Sequence, residues 1–328
     1  MSLLEKRLQN FVRWIATDAD REDEIREQSN RIRERISNKA QEDDLIVRST
    51  PSAGSYAKRT GLRQHLRGKS VVEGQDVDLP FVVSVRKGGE ELTELIDRFD
   101  GYAAACFPST ERRKTKSSVE LVFTGTGLAY DLVPMLATSD DQRQIIIQAN
   151  GTRRETSVQA HTEFVRSRTR DTTDRGLAKF NSCVRLLKWW REFREDESSM
   201  LKDVPSMVME LVAAKALETR GAKTNVAETI ADWSGWAANT VRNRKPVTFD
   251  LSPASAGDTP WQVCDPVNSG NNIVSAWRGW HVDEFAEWFE NTRDLWNRAI
   301  RQDMLGDDVA CLNSMVAIFG TPFRHHCD

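Results

Sequence analysis

The chain has 328 residues, of which 39% are hydrophobic and 29% charged, and its formal net charge is −3. That length suits one catalytic core joined to a helical half, and the slightly acidic balance argues against a protein that coats nucleic acid without sequence preference. Five widely spaced cysteines without a Cys-x-x-Cys pair point to a reducing compartment. No apolar run approaches bilayer length, and Leu3-Leu4 runs straight into charged residues without a signal-peptide pattern. The expected location is therefore cytoplasmic, with no membrane contact.

In chain order, Leu4, Leu8, Phe11, Val12 and Ile15 recur at helical spacing, and Ile25, Ile32 and Ile36 continue beyond the acidic stretch from Asp18 to Glu24. This predicts one long or two consecutive helices over residues 3–42. Leu45 to Val47 reads as a short strand leading to Gly54-Ser55-Tyr56. The insertion from Arg63 to Lys69 reads as a basic surface loop able to lid a pocket, with His65 a bystander. Residues 75–85 form a strand opened by Asp76-Val77-Asp78, and 90–104 a helix. Arg112 to Lys116 reads as a solvated loop or strand end. A strand over 118–124, the turn Gly125-Thr126-Gly127 and a strand over 128–136 carrying Asp131 make a hairpin. Gln144 to Gln148 adds a strand and Asn150-Gly151 a turn.

Helices take over from about Asp174, dividing the chain into 1–173 and 174–328. They are expected over Gly176 to Glu195, over Pro205 to Thr219 with Asp203 as N-cap, and over Asp283 to Ile300. Lys245 to Trp261, rich in Pro, Ser, Ala and Gly, reads as a loop. Ten tryptophans, seven of them after residue 230, read as packing between these helices rather than a ligand cage. His325-His326-Cys327 reads as tail residues, not a metal cluster.

The chemistry concentrates in the first half. Residues two apart on a strand share a face, so Asp76 and Asp78 project together. Asp131, on the neighbouring hairpin, adds a third carboxylate. Carboxylates in strands this apolar are costly to bury unless something binds them. Magnesium takes hard oxygen ligands, and two ions about 3.5–4 Å apart stabilise the attacking and leaving oxygens of an in-line displacement. A Gly-Ser pair at a strand-to-helix turn brings backbone N–H groups and a hydroxyl to phosphate oxygens. The order Gly54-Ser55, Asp76-x-Asp78, Asp131 thus points to nucleotidyl transfer with two Mg2+ ions, for which Mn2+ can substitute.

Those residues resemble the polymerase-β-like nucleotidyltransferase superfamily. The longer pattern is similar to its branch of cyclic GMP–AMP synthase, oligoadenylate synthase and bacterial cGAS/DncV-like nucleotidyltransferases (CD-NTases). The narrower match lies in Val184 to Trp190 with Asp203 to Val212, and in Val263-Cys264-Asp265-Pro266-Val267-Asn268 with Asn271 to Val274. The resemblance covers roughly Ser49 to Trp280. It implies an α+β fold with a mixed sheet and a C-terminal helical domain, two-lobed with the active site in the cleft. It also implies Lys188 and Ser206 as contacts to the outer phosphates of a nucleoside triphosphate. Met207 departs from the family, which places a stacking aromatic there.

The activity implied is synthesis of a cyclic di- or trinucleotide second messenger from ATP- or GTP-type substrates in anti-phage (CBASS) signalling. Asp131 would help deprotonate the attacking ribose hydroxyl. A separate effector protein would receive the product, a regulatory protein partner would fit, and no duplex nucleic acid is expected. Alternatives left open are a templateless enzyme making linear oligonucleotides or transferring a nucleotide to RNA or protein, an inactive nucleotide-binding module, and a structural helical protein with incidental carboxylates.

Overall fold

Thirteen residues from Leu3 to Ile15 wind into the first helix, α1, begun by Ser2, whose hydroxyl accepts the Glu5 N–H. The computed structural model describes residues 1–17, 19–63, 65–67, 70–72, 76–84, 94–249 and 259–328, with the side chains of 19, 20, 65–67, 70–72 and 76 excepted. By its contacts the chain divides into Thr17–Glu163 and a second unit made of Met1–Ala16 with Phe164–Asp328.

The unit Thr17–Glu163 holds helix α2 (Ala19–Glu42), strand β1 (Ile46–Ser49), the short helix α3 (Gly54–Lys58), β2 (His65–Arg67), β3 (Ser70–Val72) and β4 (Asp76–Ser84). Then follow α4 (Leu95–Cys106), β5 (Glu111–Lys114), β6 (Val119–Phe123), β7 (Leu128–Ala137), β8 (Gln144–Ile147) and β9 (Arg153–Thr156). The main sheet runs β1-β4-β7-β6-β5, with β8 joined to β7 and β9 to β8. It is mixed, because β4 and β7 pair parallel while the other neighbours pair antiparallel.

Strand alternation gives this sheet two unlike faces. Val77, Leu79, Phe81 and Val83 of β4, Leu128, Tyr130 and Leu132 of β7, and Val119 and Leu121 of β6 turn to one side. There they join Ile25, Ile32 and Ile36 of α2 and Leu95, Ile96 and Phe99 of α4 in one buried core. Each such apolar side chain contributes about 1.5–3 kcal/mol on burial. The end of α2 is tied to α4 by Asp43, which accepts from the Tyr102 hydroxyl at 2.6 Å and from Arg98 Nη2 at 2.9 Å. Burial, then the bond to Asp43, push the Tyr102 phenol up to about 12.

One segment differs from its sequence expectation here, and a second is the solvated strand end expected of it. Within Arg63 to Lys69, His65–Arg67 pairs with Ser70–Val72 as a small antiparallel hairpin rather than an irregular loop, and Gln64, Gly68 and Lys69 lie outside the described residues. The basic run at Arg112 forms the exposed edge strand β5, its charges met by Asp100, Glu120 and Asp97. Such a run can pair because only one side of it faces a neighbour.

Helical structure resumes before Asp174, with α5 (Val158–Asp174). It continues through α6 (Phe180–Arg194), α7 (Ser199–Lys202), α8 (Ser206–Arg220), α9 (Val226–Arg242), α10 (Gly279–Met304), α11 (Asp308–Phe319) and α12 (Thr321–His326). The N-cap of α8 is Pro205, with no side-chain cap bond, whereas Asp203 closes α7. Asp203 is thus a helix end rather than the expected helix start, since Val204-Pro205 separates it from α8.

The first helix belongs with this unit and not with the sheet, unlike the division at 173/174. Phe11 is fully buried against Trp189, Phe319 and Phe323, at ring separations of 5.4, 5.4 and 4.9 Å. Glu5 accepts the Val226 N–H that opens α9 at 2.9 Å, and Asp303 accepts the Leu4 N–H at 3.0 Å. Trp189, Trp190, Trp233, Trp261 and Trp296 are all buried. His326 stacks on Trp14 at 3.9 Å and 7°, so this tail histidine packs. None of the five cysteines is in a disulfide. Among the described residues no helix is long and apolar enough to cross a membrane.

Truncating the ring that fixes α1 tests this assignment. Phe11→Ala is expected to cost about 3–5 kcal/mol, whereas Met304→Ala, at a position 75% exposed, changes stability by less than about 0.5 kcal/mol. Thermal unfolding followed by circular dichroism measures both.

Candidate active site

The parallel pairing of β4 with β7 sets Asp78 opposite Asp131. On the far side of β7, the antiparallel pairing with β6 sets Glu120 opposite Asp131, and that of β6 with β5 sets Arg113 opposite Glu120. Residues directly opposite share a face, so Asp78, Asp131, Glu120 and Arg113 form one lateral row across four strands. The row lies on the face turned away from the α2 and α4 core. Arg113 bonds Glu120 at 3.0 Å, and Ser118 Oγ donates to Asp131 Oδ1 at 2.8 Å.

Gly54 meets this row from the side. It opens α3 with φ +67°, and a Cβ on it would lie 1.8 Å from Asp78 Oδ2 and 2.8 Å from Asp78 Cγ. Both the backbone angle and the close approach therefore require glycine. The helix behind it is five residues long and closes on Arg59, whose N–H reaches the carbonyls of Ser55 and Tyr56. Tyr56 packs on the sheet core, and its hydroxyl donates to the Glu22 carbonyl at 3.2 Å. The Gly54-Ser55 turn is thus fastened to α2 while it presses on Asp78. Asp76 is the first residue of β4, opposite Ala129, and its side chain is outside those described.

The structure therefore brings Gly54, Ser55, Asp78 and Asp131 together in one unit. Lys188 and Ser206 lie in the other. Lys188, on α6, donates from Nζ to Glu210 Oε1 at 2.8 Å, and both side chains are only 4% exposed. Ser206 and Met207 open α8 half-buried, with Glu210 one turn later on the same helix. The late Asp-Pro segment is a turn: Asp265 Oδ1 accepts the N–H groups of Val267 and Asn268 at 2.8 and 3.3 Å, and Oδ2 accepts from Asn271 at 3.2 Å.

Three residues beside these were not singled out from the sequence. Glu120 interrupts the apolar run Val119 to Phe123 as Asp131 interrupts its own strand, so the same signal was there to read. Glu210 sits within an apolar helix, a weaker signal of the same kind. Ser118 carries none, because its role appears only with strand register.

Paired carboxylates on one face, with a glycine backbone against one of them, are a donor set that fits a hard divalent cation. Among the described side chains no group of three His, Cys, Asp or Glu comes together to hold a metal. Two carboxylates of the expected three are therefore placed by the described geometry.

A family model described as Second Messenger Oligonucleotide or Dinucleotide Synthetase domain matches residues 1–168, more than half of the 328. Cyclic AMP-AMP-AMP synthase of Escherichia coli (strain MS 115-1) is 28% identical over 271 residues, covering 80% of each chain. CBASS oligonucleotide cyclase CdnC of Escherichia coli (strain KTE188) is 27% identical over 294 residues, covering 82% of this chain and 86% of its own. The structure of E. coli MS115-1 CdnC with ATP superposes with a TM-score of 0.78 at 23% identity, covering 97% of this chain and 98% of that one. The same relative, solved as a complex with HORMA-deltaN, gives 0.74. The chain thus belongs to the Second Messenger Oligonucleotide or Dinucleotide Synthetase family, as a bacterial CD-NTase with the polymerase-β-like fold and the nucleotidyltransferase activity of a CBASS cyclic oligonucleotide synthase.

Proposed function

We propose that this chain joins ATP-type nucleotides into a cyclic di- or trinucleotide at the row of Asp78 and Asp131, with Asp76 completing the set. The pairing of Asp78 with Asp131, with the Gly54 backbone on Asp78, carries this reading. Gly54 and Ser55 hold the donor triphosphate by backbone N–H groups and the serine hydroxyl. Asp76, Asp78 and Asp131 hold two Mg2+, or Mn2+ in its place. Bound there, the cations neutralise the triphosphate and stabilise the attacking and leaving oxygens.

Asp131 takes the proton of a ribose hydroxyl as that oxygen bonds the α-phosphorus and pyrophosphate departs. A second transfer on the linear intermediate closes the ring. ATP is the first substrate to test, because one relative is named a cyclic AMP-AMP-AMP synthase and another was solved with ATP. The HORMA complex of that relative supports a regulatory protein partner here, and the product acts on a separate effector protein.

Incubation with Mg2+ and ATP is expected to release pyrophosphate and give a phosphatase-resistant product identifiable by mass spectrometry. Asp76→Asn with Asp78→Asn is expected to abolish both while the fold persists, since two like charges are removed from adjacent positions. Pyrophosphate release at the unaltered rate would overturn the assignment.

Gly54→Ala separates position from charge. The methyl group must displace the Asp78 carboxylate, and misplacement of about 1 Å is worth roughly 100-fold in rate. The left-handed backbone angle adds only about 1–2 kcal/mol of strain. The expected result is a folded protein with at least roughly 100-fold lower turnover, measured by pyrophosphate release and thermal unfolding.

Lys188 needs a different test, because removing it alone leaves Glu210 buried and uncompensated at a cost of about 3–5 kcal/mol. Lys188→Met with Glu210→Gln removes both charges at similar volume. The double variant is expected to fold, and to weaken binding of ATP more than of adenosine if Lys188 contacts phosphate. Equal weakening of both ligands, measured calorimetrically, would mark the pair as structural.

A further inference from the structure

The β5–β6 turn carries a chain of hydroxyl groups that ends on Asp131. Ser118, only 5% exposed, donates from Oγ to Asp131 Oδ1 at 2.8 Å. Its oxygen also lies 2.7 Å from Thr115 Oγ1. A serine hydroxyl has one proton, and a carboxylate can only accept. The proton of Ser118 is therefore committed to Asp131, and Thr115 must supply the proton of the 2.7 Å bond. Thr115 Oγ1 in turn accepts the Ser118 and Ser117 N–H groups at 3.0 and 3.3 Å. Thr115 Oγ1 also has the Ser118 carbonyl as an acceptor at 3.4 Å, and the 2.7 Å contact to Ser118 Oγ is the shorter of the two.

The turn bearing this chain is itself fixed. Thr115 N–H bonds the Ser118 carbonyl at 2.9 Å, and Ala149 N–H bonds the Lys116 carbonyl at 2.8 Å from the β8–β9 turn. Glu120, the other lateral neighbour of Asp131, is held by Arg113 at 3.0 Å. Asp131 consequently has one oxygen engaged by Ser118.

We propose that Thr115 and Ser118 are positioning residues that orient the Asp131 carboxylate, presenting Oδ2 to the divalent cation and to the attacking hydroxyl. The proposal rests on the role assigned above to Asp131. Hydrogen-bonded partners of a ligating carboxylate fix its orientation, and their loss weakens metal affinity or activity about 10–100-fold. An undirected carboxylate would still bind nucleotide through the rest of the set, so the loss should fall on kcat rather than on KM for ATP.

The test uses the whole chain with Ser118→Ala, Ser118→Thr, Thr115→Val and Asp131→Asn. Turnover is measured by pyrophosphate release, and Mn2+ affinity independently by electron paramagnetic resonance of the free ion. Ser118→Ala is expected to lose about 10-fold or more in kcat and in Mn2+ affinity, with KM for ATP changed less than about two-fold. Ser118→Thr, which keeps the hydroxyl, should restore both. Thr115→Val should lose in the same direction with Ser118 in place, and it serves alone if Ser118→Ala fails to fold. Unaltered Mn2+ affinity and kcat in Ser118→Ala or in Thr115→Val overturns the proposal. So does an equal fall in kcat and rise in KM that Ser118→Thr does not rescue, since that marks a packing role. Asp131→Asn keeping full turnover would instead overturn the catalytic reading of Asp131 itself, so the two failures are distinguishable.

Discussion

Two carboxylates held directly opposite each other, Asp78 on β4 and Asp131 on β7, are the constraint around which the sheet is organised. At about 5 Å, two unit charges repel by roughly 1–3 kcal/mol for effective dielectric constants between 80 and 20. Left to themselves the strands would shift to relieve this. They do not, because a slip by one residue would exchange the two faces of β4. Val77, Leu79, Phe81 and Val83 would then leave the core they share with α2 and α4. At about 1.5–3 kcal/mol for each side chain, that loss exceeds the repulsion severalfold. The apolar face thus enforces the acidic one, and the stored repulsion is what a cation would relieve.

The same core also fixes the Gly54-Ser55 turn. Tyr56 packs into it beside the residues that set the register, and its hydroxyl reaches the α2 backbone. Two residues earlier, Gly54 abuts Asp78. The spacing between the Gly54-Ser55 turn and Asp78 is therefore set by packing on the core side as well as by the close approach of Gly54 to Asp78. This is why a substitution at Gly54 or in the core under Tyr56 is expected to act on chemistry without touching a reacting atom.

Much of this was legible in the sequence because the signals are local. Asp76-x-Asp78 opening a very apolar run, and Asp131 interrupting another, mark two strands that pair side by side. The β4, β6 and β7 strands lie within a residue or so of their expected bounds. What escaped depends on pairing between distant positions. The row from Asp78 to Arg113 exists only once four strands are aligned, and Ser118 has a meaning only in that register. The helix α5 was missed because its sequence, Val158–Asp174, is polar along most of its length. The buried Lys188–Glu210 pair was missed for a related reason. A lysine on a helix ordinarily reads as solvated, and its partner lies on a separate helix 22 positions away.

The placement of α1 has a consequence for how the chain acquires its structure. Residues Thr17–Glu163 have their core formed from contacts within themselves. The helical unit does not close until its last residues meet its first: Asn10 bonds the Cys327 carbonyl at 3.0 Å, and Phe11 packs on Phe319 and Phe323. These contacts span more than 300 positions, and contacts of large sequence separation form late because loop closure must precede them. During synthesis, then, the sheet carrying the carboxylates can organise while the helical unit still waits for its final helices. The unit bearing Lys188 and Ser206 is the one whose closure depends on those long-range contacts. Gly54, Ser55, Asp76, Asp78 and Asp131 all belong to the sheet-bearing unit, whereas the family match over residues 1–168 also takes in α1, which packs with the helices.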